Sequence, residues 1–486
     1  MARITALLFA SLFLSPLSAA SPTRASPLLA SRQDTDNEGL HSLMLAAGKL
    51  FFGTATDVRY LDNKAHQAIV QNPNEFGMIV PENSQKWGEL EKEDKGKVDF
   101  TNTDIIAAQA KGNGQLFRCH VLVWGAQLPS YVTSTSWTEK TLSDVLQAHI
   151  TTTVTHFGSQ CYSWDVVSEA LSSSPDSNTL STTSLFHQVL GASYIPFSFY
   201  WTSLAADPSS KLYYNDFNLE LSPSKAQGAV DIVHLIRNYT SPTGEKNKAR
   251  IDGIGLQSHL FVSSVPSLPS LTSTLELFTN LSLEVSFSEL DISHSSLSPS
   301  PNATQIEQQE KDYMTVISAC LAVKGCVGIT VWGFSDKYSW VKDAFPGKGG
   351  GCLYDENMKN KGSWFAVAEV LRRAGVVRRG AVAVDASLDG EVAVAVNSTT
   401  TVEGEGGGGG GRDPDEAVRK AARSGELMRG VNGTELMVAA GEEVGDAQGK
   451  GQGVVNGARR WVVTGWGGWV VVMGWGFWGF WGILSS

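Results

Sequence analysis

Up to about residue 333, short apolar runs recur along the chain, each followed by a stretch whose apolar residues return at helical spacing. The runs fall at 50–55, 76–81, 116–124, 162–167, 211–215, 251–257, 283–290 and 327–333. Between them, plausible helical patterns occupy 104–110, 141–157, 224–239 and 305–322. Short apolar runs read as buried strands, and strands alternating with helices read as parallel β–α units. Eight such units in about 330 residues predict an α/β fold, a closed (β/α)8 TIM barrel. The competing architecture is an open doubly wound sheet. That sheet would carry a glycine-rich phosphate loop after its first strand, and none follows residue 55.

Barrel enzymes gather their chemistry at the C-terminal ends of the strands, so what stands there matters. In Leu283-Glu284-Val285-Ser286-Phe287-Ser288-Glu289-Leu290-Asp291-Ile292, Val285 and Phe287 alternate with Ser286 and Ser288. Glu289 and Asp291 then follow two residues apart, which puts both on one face. A carboxylate closing a core strand is unfavourable unless it is hydrogen-bonded, used, or reaches solvent. A second stretch, Cys161-Tyr162-Ser163-Trp164-Asp165-Val166-Val167-Ser168-Glu169-Ala170, climbs to Glu169 in the same way. Two such glutamates could face one another across a cleft, as carboxylate-pair chemistry on sugars requires. The remaining strand ends carry Glu82 and Asn83, His120 and Trp124, Asn215 and Asp216, Gln257 and His259, and Trp332. These side chains are all able to touch a sugar.

Composition narrows the partners. The net charge is −11, no long basic run occurs and no cysteine spacing suits zinc. That argues against nucleic acid and for a neutral or cationic partner. No cluster of histidines and acids has metal-ligand spacing, so no metal or other cofactor is expected. Residues 1–20 have the layout of a secretory signal peptide: Arg3, an apolar stretch over 4–17, then Leu17-Ser18-Ala19-Ala20. Secretion agrees with glycosylation acceptor triplets at Asn238, Asn280, Asn302, Asn397 and Asn432. Five cysteines in an oxidising compartment leave one odd. Cys320 and Cys326, close in sequence around Lys324-Gly325, are the expected disulfide. Cys119 and Cys161 lie inside strands and read as buried thiols, and Cys352 has no assigned place.

The domain expected over 41–374 is flanked by segments of other composition. Residues 21–40 are Ser/Pro/Ala-rich and read as a disordered leader. Residues 375–460 read as a low-complexity linker with an acidic-glycine run at 404–411. Residues 461–484 hold no charge and six tryptophans. That tail is long enough to span a bilayer. It also resembles a removable lipid-anchor signal, preceded by Asn456-Gly457-Ala458. A third reading is a segment without function. Attachment to a membrane or cell wall is therefore open, and the chain is expected to act as a monomer.

Over residues 45–372 the chain resembles the secreted fungal endo-β-1,4-xylanases of glycoside hydrolase family 10. The shared motifs occur in the family's order: Phe52-Gly53-Thr54-Ala55, Glu82-Asn83-Ser84-Gln85-Lys86-Trp87, Arg118-Cys119-His120-Val121-Leu122-Val123-Trp124, Trp164-Asp165-Val166-Val167 with Glu169-Ala170, Tyr214-Asn215-Asp216, Gln257-Ser258-His259, Glu289-Leu290-Asp291 and Asp336-Lys337-Tyr338-Ser339-Trp340. The resemblance implies internal cleavage of xylan with retention, Glu289 being the nucleophile and Glu169 the general acid and base. It implies that His259 and Asp291 support Glu289. It further implies sugar contacts from Glu82, Asn83, Lys86, His120, Trp124, Gln127, Ser168, Asn215 and Gln257, with Trp332 and Trp340 as the aromatic wall.

Two positions depart from the family pattern. Ser168 stands where the family has an asparagine that bonds the sugar 2-hydroxyl, and Gly125 stands where it has a histidine. Losing one such bond costs roughly 1–3 kcal/mol. Both carboxylates remain, so a slowed enzyme is expected. A catalytically silent xylan-binding protein and a related β-1,4-glycosidase are the alternatives.

Overall fold

The computed structural model of the chain describes residues 38–386 apart from 93–95, 175, 176, 242 and 247, together with strand segments at 428–429, 435–436, 460–466 and 469–475. The apolar runs become the strands β1 (Phe51–Thr56), β2 (Met78–Pro81), β3 (Leu116–Cys119), β4 (Val123–Trp124), β5 (Cys161–Ser168), β6 (Lys211–Asp216), β7 (Gly253–Leu256), β8 (His259–Phe261), β9 (Glu284–Ser293) and β10 (Cys326–Val331). Eight of them close into a parallel ring in the order β1-β2-β3-β5-β6-β7-β9-β10, with β10 returning to β1. This is the (β/α)8 barrel expected from the alternation. The run at 116–124 is cut in two. β4 is a short extension paired to the end of β5, and β8 is likewise paired to the end of β9. Both extensions therefore lie at the catalytic end of the ring, carrying Trp124 and His259.

Helices cover the ring because each buries an apolar stripe. In Glu139–Phe157 the buried residues Leu142, Val145, Leu146, His149, Ile150, Thr153, Val154 and Phe157 recur at three- and four-residue spacing. Its start is set by a capping box on Thr138 and Thr141, and the helix Ala303–Ala322 begins with another on Asn302 and Gln305. Helix Pro223–Arg237 starts with Ser222 accepting from the Lys225 N–H and proline at its first position. The helix Tyr194–Ala205 has no counterpart among the sequence patterns. Its residues YIPFSFYWTSLA are nearly all apolar, and the lack of a polar face hides the helical period. Strand and helix side chains share one core, in which Phe52, Ile79, Trp164, Ile254, Phe287 and Ile329 are fully buried.

The last helix, Gly362–Ala386, runs past the boundary expected at 374. The expected signal peptide and most of the expected leader and linker lie outside the described residues. Of the tryptophan-rich tail, Arg460–Trp466 and Trp469–Trp475 are described, as an antiparallel strand pair. Among the described residues no helix is long and apolar enough to cross a membrane. Asn238, Asn280 and Asn302 are exposed. Asn397 and Asn432 lie outside the described residues.

Cys320 and Cys326 form a disulfide, as expected. Cys119 and Cys161 are not free thiols; they form a second one. Cys119 ends β3 and Cys161 begins the adjacent β5, and only the ring's register brings together residues 42 apart. Cys352 remains a buried thiol. In the loop-entropy picture the longer closure contributes more, about 4 kcal/mol against about 2 kcal/mol for the short one. Cys119→Ala/Cys161→Ala is therefore expected to lower the unfolding free energy from urea curves about twice as far as Cys320→Ala/Cys326→Ala, with m rising as the denatured chain loses its cross-link.

Candidate active site

The two strand-end glutamates sit in unlike surroundings. Glu289, on β9, is buried, and both of its oxygens are occupied. Oε1 accepts from Asn215 Nδ2 at 2.7 Å and faces Arg118 Nη2 at 3.7 Å. Oε2 accepts from His259 Nε2 at 3.3 Å. Burial alone would raise its pKa, but the His259 bond and the nearby His120, His259 and Arg118 outweigh burial and hold the carboxyl down at about 2. Glu289 is a carboxylate at any working pH.

His259 is itself held charged. Burial favours neutral imidazole, but the charges and hydrogen bonds of Asp291 and Glu289 win and lift it to about 10. The imidazolium donates from both nitrogens, Nδ1 reaching Asp291 Oδ2 at 2.9 Å. The same Asp291 oxygen accepts from Trp340 Nε1 at 2.9 Å. A chain of four residues thus runs from an aromatic ring to Glu289. Asp291 shares a face with Glu289 because they stand two positions apart on β9.

Glu169 follows directly after β5 and is only half-buried. Its Oε1 accepts one hydrogen bond, from Gln257 Nε2 at 2.9 Å. One glutamate is multiply bonded and locked as an anion, while the other keeps lone pairs free on an open carboxyl. Such a division of environments lets two like groups take different roles.

Around them the expected sugar contacts fall into two groups. Lys86 Nζ donates to Asn83 Oδ1 at 2.9 Å and lies 5.0 Å from the centre of the Trp124 ring. Burial lowers the Lys86 pKa, although Glu289, Glu82, Glu169 and Asp57 all oppose this. Glu82 accepts from Arg59 Nη2 at 2.7 Å and Tyr60 Oη at 2.6 Å, which fixes its carboxylate at the rim. Trp332 packs with Ala55, Val80 and Trp340, and the ring of His120 stands edge-on to it at 5.0 Å. Gln127 lies exposed in the loop after β4, with a φ of 49°.

Asn215, Gln257 and Ser168 belong to the second group, which is turned inward. Asn215 is fully buried, and it bonds Glu289 and Ser168 through Nδ2 and Ser288 through Oδ1. The Asn215 amide expected to touch a sugar is thus occupied by Glu289 and Ser168. Gly255, opposite on β7, makes room for it, since a Cβ there would stand 2.4 Å from Asn215 Oδ1. Ser168 is buried too, and its hydroxyl donates to the Asn215 carbonyl at 3.2 Å. The amide of Gln257 is used on Glu169.

Two site residues were quoted in the motifs without a role. Arg118 spans Asp165 through Nε at 3.2 Å and Nη2 at 2.5 Å, and reaches the Ser288 carbonyl at 2.6 Å. His120 Nδ1 meets the same Asp165 at 2.7 Å. The signal was present: opposite charges inside two neighbouring apolar strands are costly unless paired.

A barrel with a locked carboxylate and a free one among aromatic and hydrogen-bonding groups at its strand ends defines a glycoside hydrolase. The family model for glycosyl hydrolase family 10 matches residues 39–370, and the chain belongs to that family. It is 45% identical over 354 residues to endo-1,4-β-xylanase 5 of Pyricularia oryzae, covering 73% of this chain and 84% of that one. With endo-1,4-β-xylanase 1 of Humicola insolens the identity is 41% over 333 residues, 68% of this chain and 74% of the relative. Among solved structures, an endo-1,4-β-xylanase of Penicillium canescens superposes with a TM-score of 0.64 at 34% identity, covering 69% of this chain and 98% of its own. Xylanase 10B of Thermotoga petrophila, solved with xylobiose, also gives 0.64, at 30% identity over 70% of this chain and 98% of that one.

The charge chain sets a pH response. Glu289 contributes stability above its ordinary value of 4.5, lost as pH falls towards about 2. His259 contributes below its ordinary 6.5, lost as pH rises through about 10. Removing the imidazolium should let the Glu289 carboxyl rise. His259→Asn is expected to move the acidic limb of kcat/KM upward by roughly one to three pH units, measured on a soluble substrate.

Proposed function

We propose that this chain hydrolyses internal β-1,4-xylosidic bonds of xylan with retention, through Glu289 as nucleophile and Glu169 as general acid and base. The observation that carries the roles is the contrast just described: Glu289 is bonded on both oxygens and kept ionised, whereas Glu169 stands half-open with one amide donor. The named relatives are endo-1,4-β-xylanases, and a structural neighbour holds xylobiose. These support xylan as the substrate.

In the first step a Glu289 oxygen forms a bond to the anomeric carbon while the glycosidic bond breaks. The leaving oxygen takes its proton from Glu169. In the second step Glu169, now a carboxylate, removes a proton from water, which displaces Glu289 and frees the sugar with its original configuration. Asn215 and His259 hold the nucleophile in line, and Trp332 and Trp340 offer ring faces to the sugar. Two disulfides and the exposed acceptor sites at Asn238, Asn280 and Asn302 support secretion into an oxidising medium.

The chain is expected to release reducing ends from soluble xylan, and Glu289→Ala to lower that rate roughly 10⁴-fold. Nuclear magnetic resonance should see the β-anomer first. The α-anomer first would replace retention by inversion, and tight xylan binding without product would make the chain a binding protein.

Ser168 and Gly125 support a slowed reaction. The Ser168 hydroxyl is spent on the Asn215 carbonyl, which leaves it no donor for a sugar 2-hydroxyl. Gly125 follows directly after the Trp124–Ser168 pair, and a Cβ there meets Ser184, its hydroxyl at 3.4 Å. Ser168→Asn is expected to raise kcat/KM by about fivefold or more, and an unchanged or lower value would remove this explanation.

A further inference from the structure

Glu169 is a non-glycine residue in the left-handed region, with a φ of 57°. That conformation is unfavourable by about 1–3 kcal/mol and persists only where its surroundings over-determine it. The constraint comes from β6 and the segment after it. The Glu169 N–H donates to the Asn215 carbonyl at 2.9 Å. The next two peptide groups are held by side chains. Ala170 N–H donates to Tyr214 Oη at 3.2 Å, and Leu171 N–H to Asp216 Oδ2 at 3.3 Å. The Tyr214 hydroxyl donates onward to that same Asp216 oxygen.

Asp216 is in turn anchored on its other side. Its Oδ1 accepts from the Phe217 N–H at 2.8 Å and faces Lys225 Nζ at 2.9 Å. The ammonium also lies 3.4 Å from the centre of the Phe217 ring. Lys225 sits in the first turn of Pro223–Arg237, with Ser222 capping its N–H. Tyr214 and Asp216 are fully buried, and Lys225 is 1% exposed. A buried ion pair is weak grounds for a stability role, since apolar replacements often match it. What distinguishes this one is its termination on the two N–H groups directly following Glu169.

We propose that Tyr214, Asp216 and Lys225 are positioning residues, a buried clamp that holds Glu169 in its left-handed conformation and so aims its carboxyl at the leaving oxygen. The inference rests on the reading of Glu169 as general acid. A clamp of this kind acts on proton delivery. Its loss falls on leaving groups that need a proton and spares those that depart unaided, whereas loosening of the whole barrel falls on both alike.

The test is kcat/KM of the full chain on aryl xylobiosides with an activated and a poor leaving group, together with melting temperatures. Tyr214→Phe keeps the ring and removes the hydroxyl, Asp216→Asn keeps the shape and removes the charge, and Glu169→Gln is the reference. Tyr214→Phe and Asp216→Asn are each expected to lose roughly tenfold on the poor leaving group and less than about twofold on the activated one. Equal losses on both substrates, or no loss on either, would overturn the clamp. Should Asp216→Asn fail to fold, Tyr214→Phe alone decides. If Glu169→Gln itself shows no selective loss, the general-acid reading fails; if it does and the other two do not, only the clamp fails.

Discussion

Keeping Glu289 ionised while it is buried is the constraint around which the strand ends are arranged. An isolated carboxylate out of water is unfavourable by far more than a domain's net stability. Here it is offset by an amide, an imidazolium and a guanidinium drawn from three different strands. Each of these needs a partner of its own. Arg118 is neutralised by Asp165, His259 by Asp291, and Asn215 is oriented by Ser288. One buried negative charge thus organises residues on β3, β5, β6 and β9, half of the ring, and on the extension β8. The closed barrel makes this possible because its strands cannot splay, so the distances among their ends are set by backbone pairing.

Much of this architecture could be read from the chain alone. Alternating apolar runs and helical patterns are local signals, and they identify the eight strands because each strand is short, apolar and bounded. Glu289, Asp291 and Glu169 stood out for a related reason, a carboxylate closing a strand that otherwise belongs in a core. What escaped the sequence are relations between strands. The pairing of Cys119 with Cys161 depends on β3 and β5 being neighbours. The inward role of Asn215 depends on Gly255 standing opposite it. The ion pair of Arg118 and Asp165 joins two apolar runs that were each read singly. Periodicity reports which face a residue is on, and register reports whom it meets.

The departures at Ser168 and Gly125 belong to the same distinction. From the sequence they are two missing side chains, one directly before Glu169 and one near the same cleft. In the structure they differ in kind. Ser168 has been recruited into the hydrogen bonds that tie β5 to β6, whereas Gly125 borders open space with only Ser184 nearby. One is integrated into the barrel wall, and the other is simply small.

Trp340 closes the chain of donors that begins at Glu289, since its indole N–H ends on Asp291. The ring of the expected aromatic wall is thereby wired to the buried carboxylate. Reshaping this wall to welcome a different sugar also alters the charge balance of Asp291, His259 and Glu289. On the proposed roles, wall shape and carboxylate charge form a single evolvable trait on this side of the cleft, and selection on either one drags the other with it.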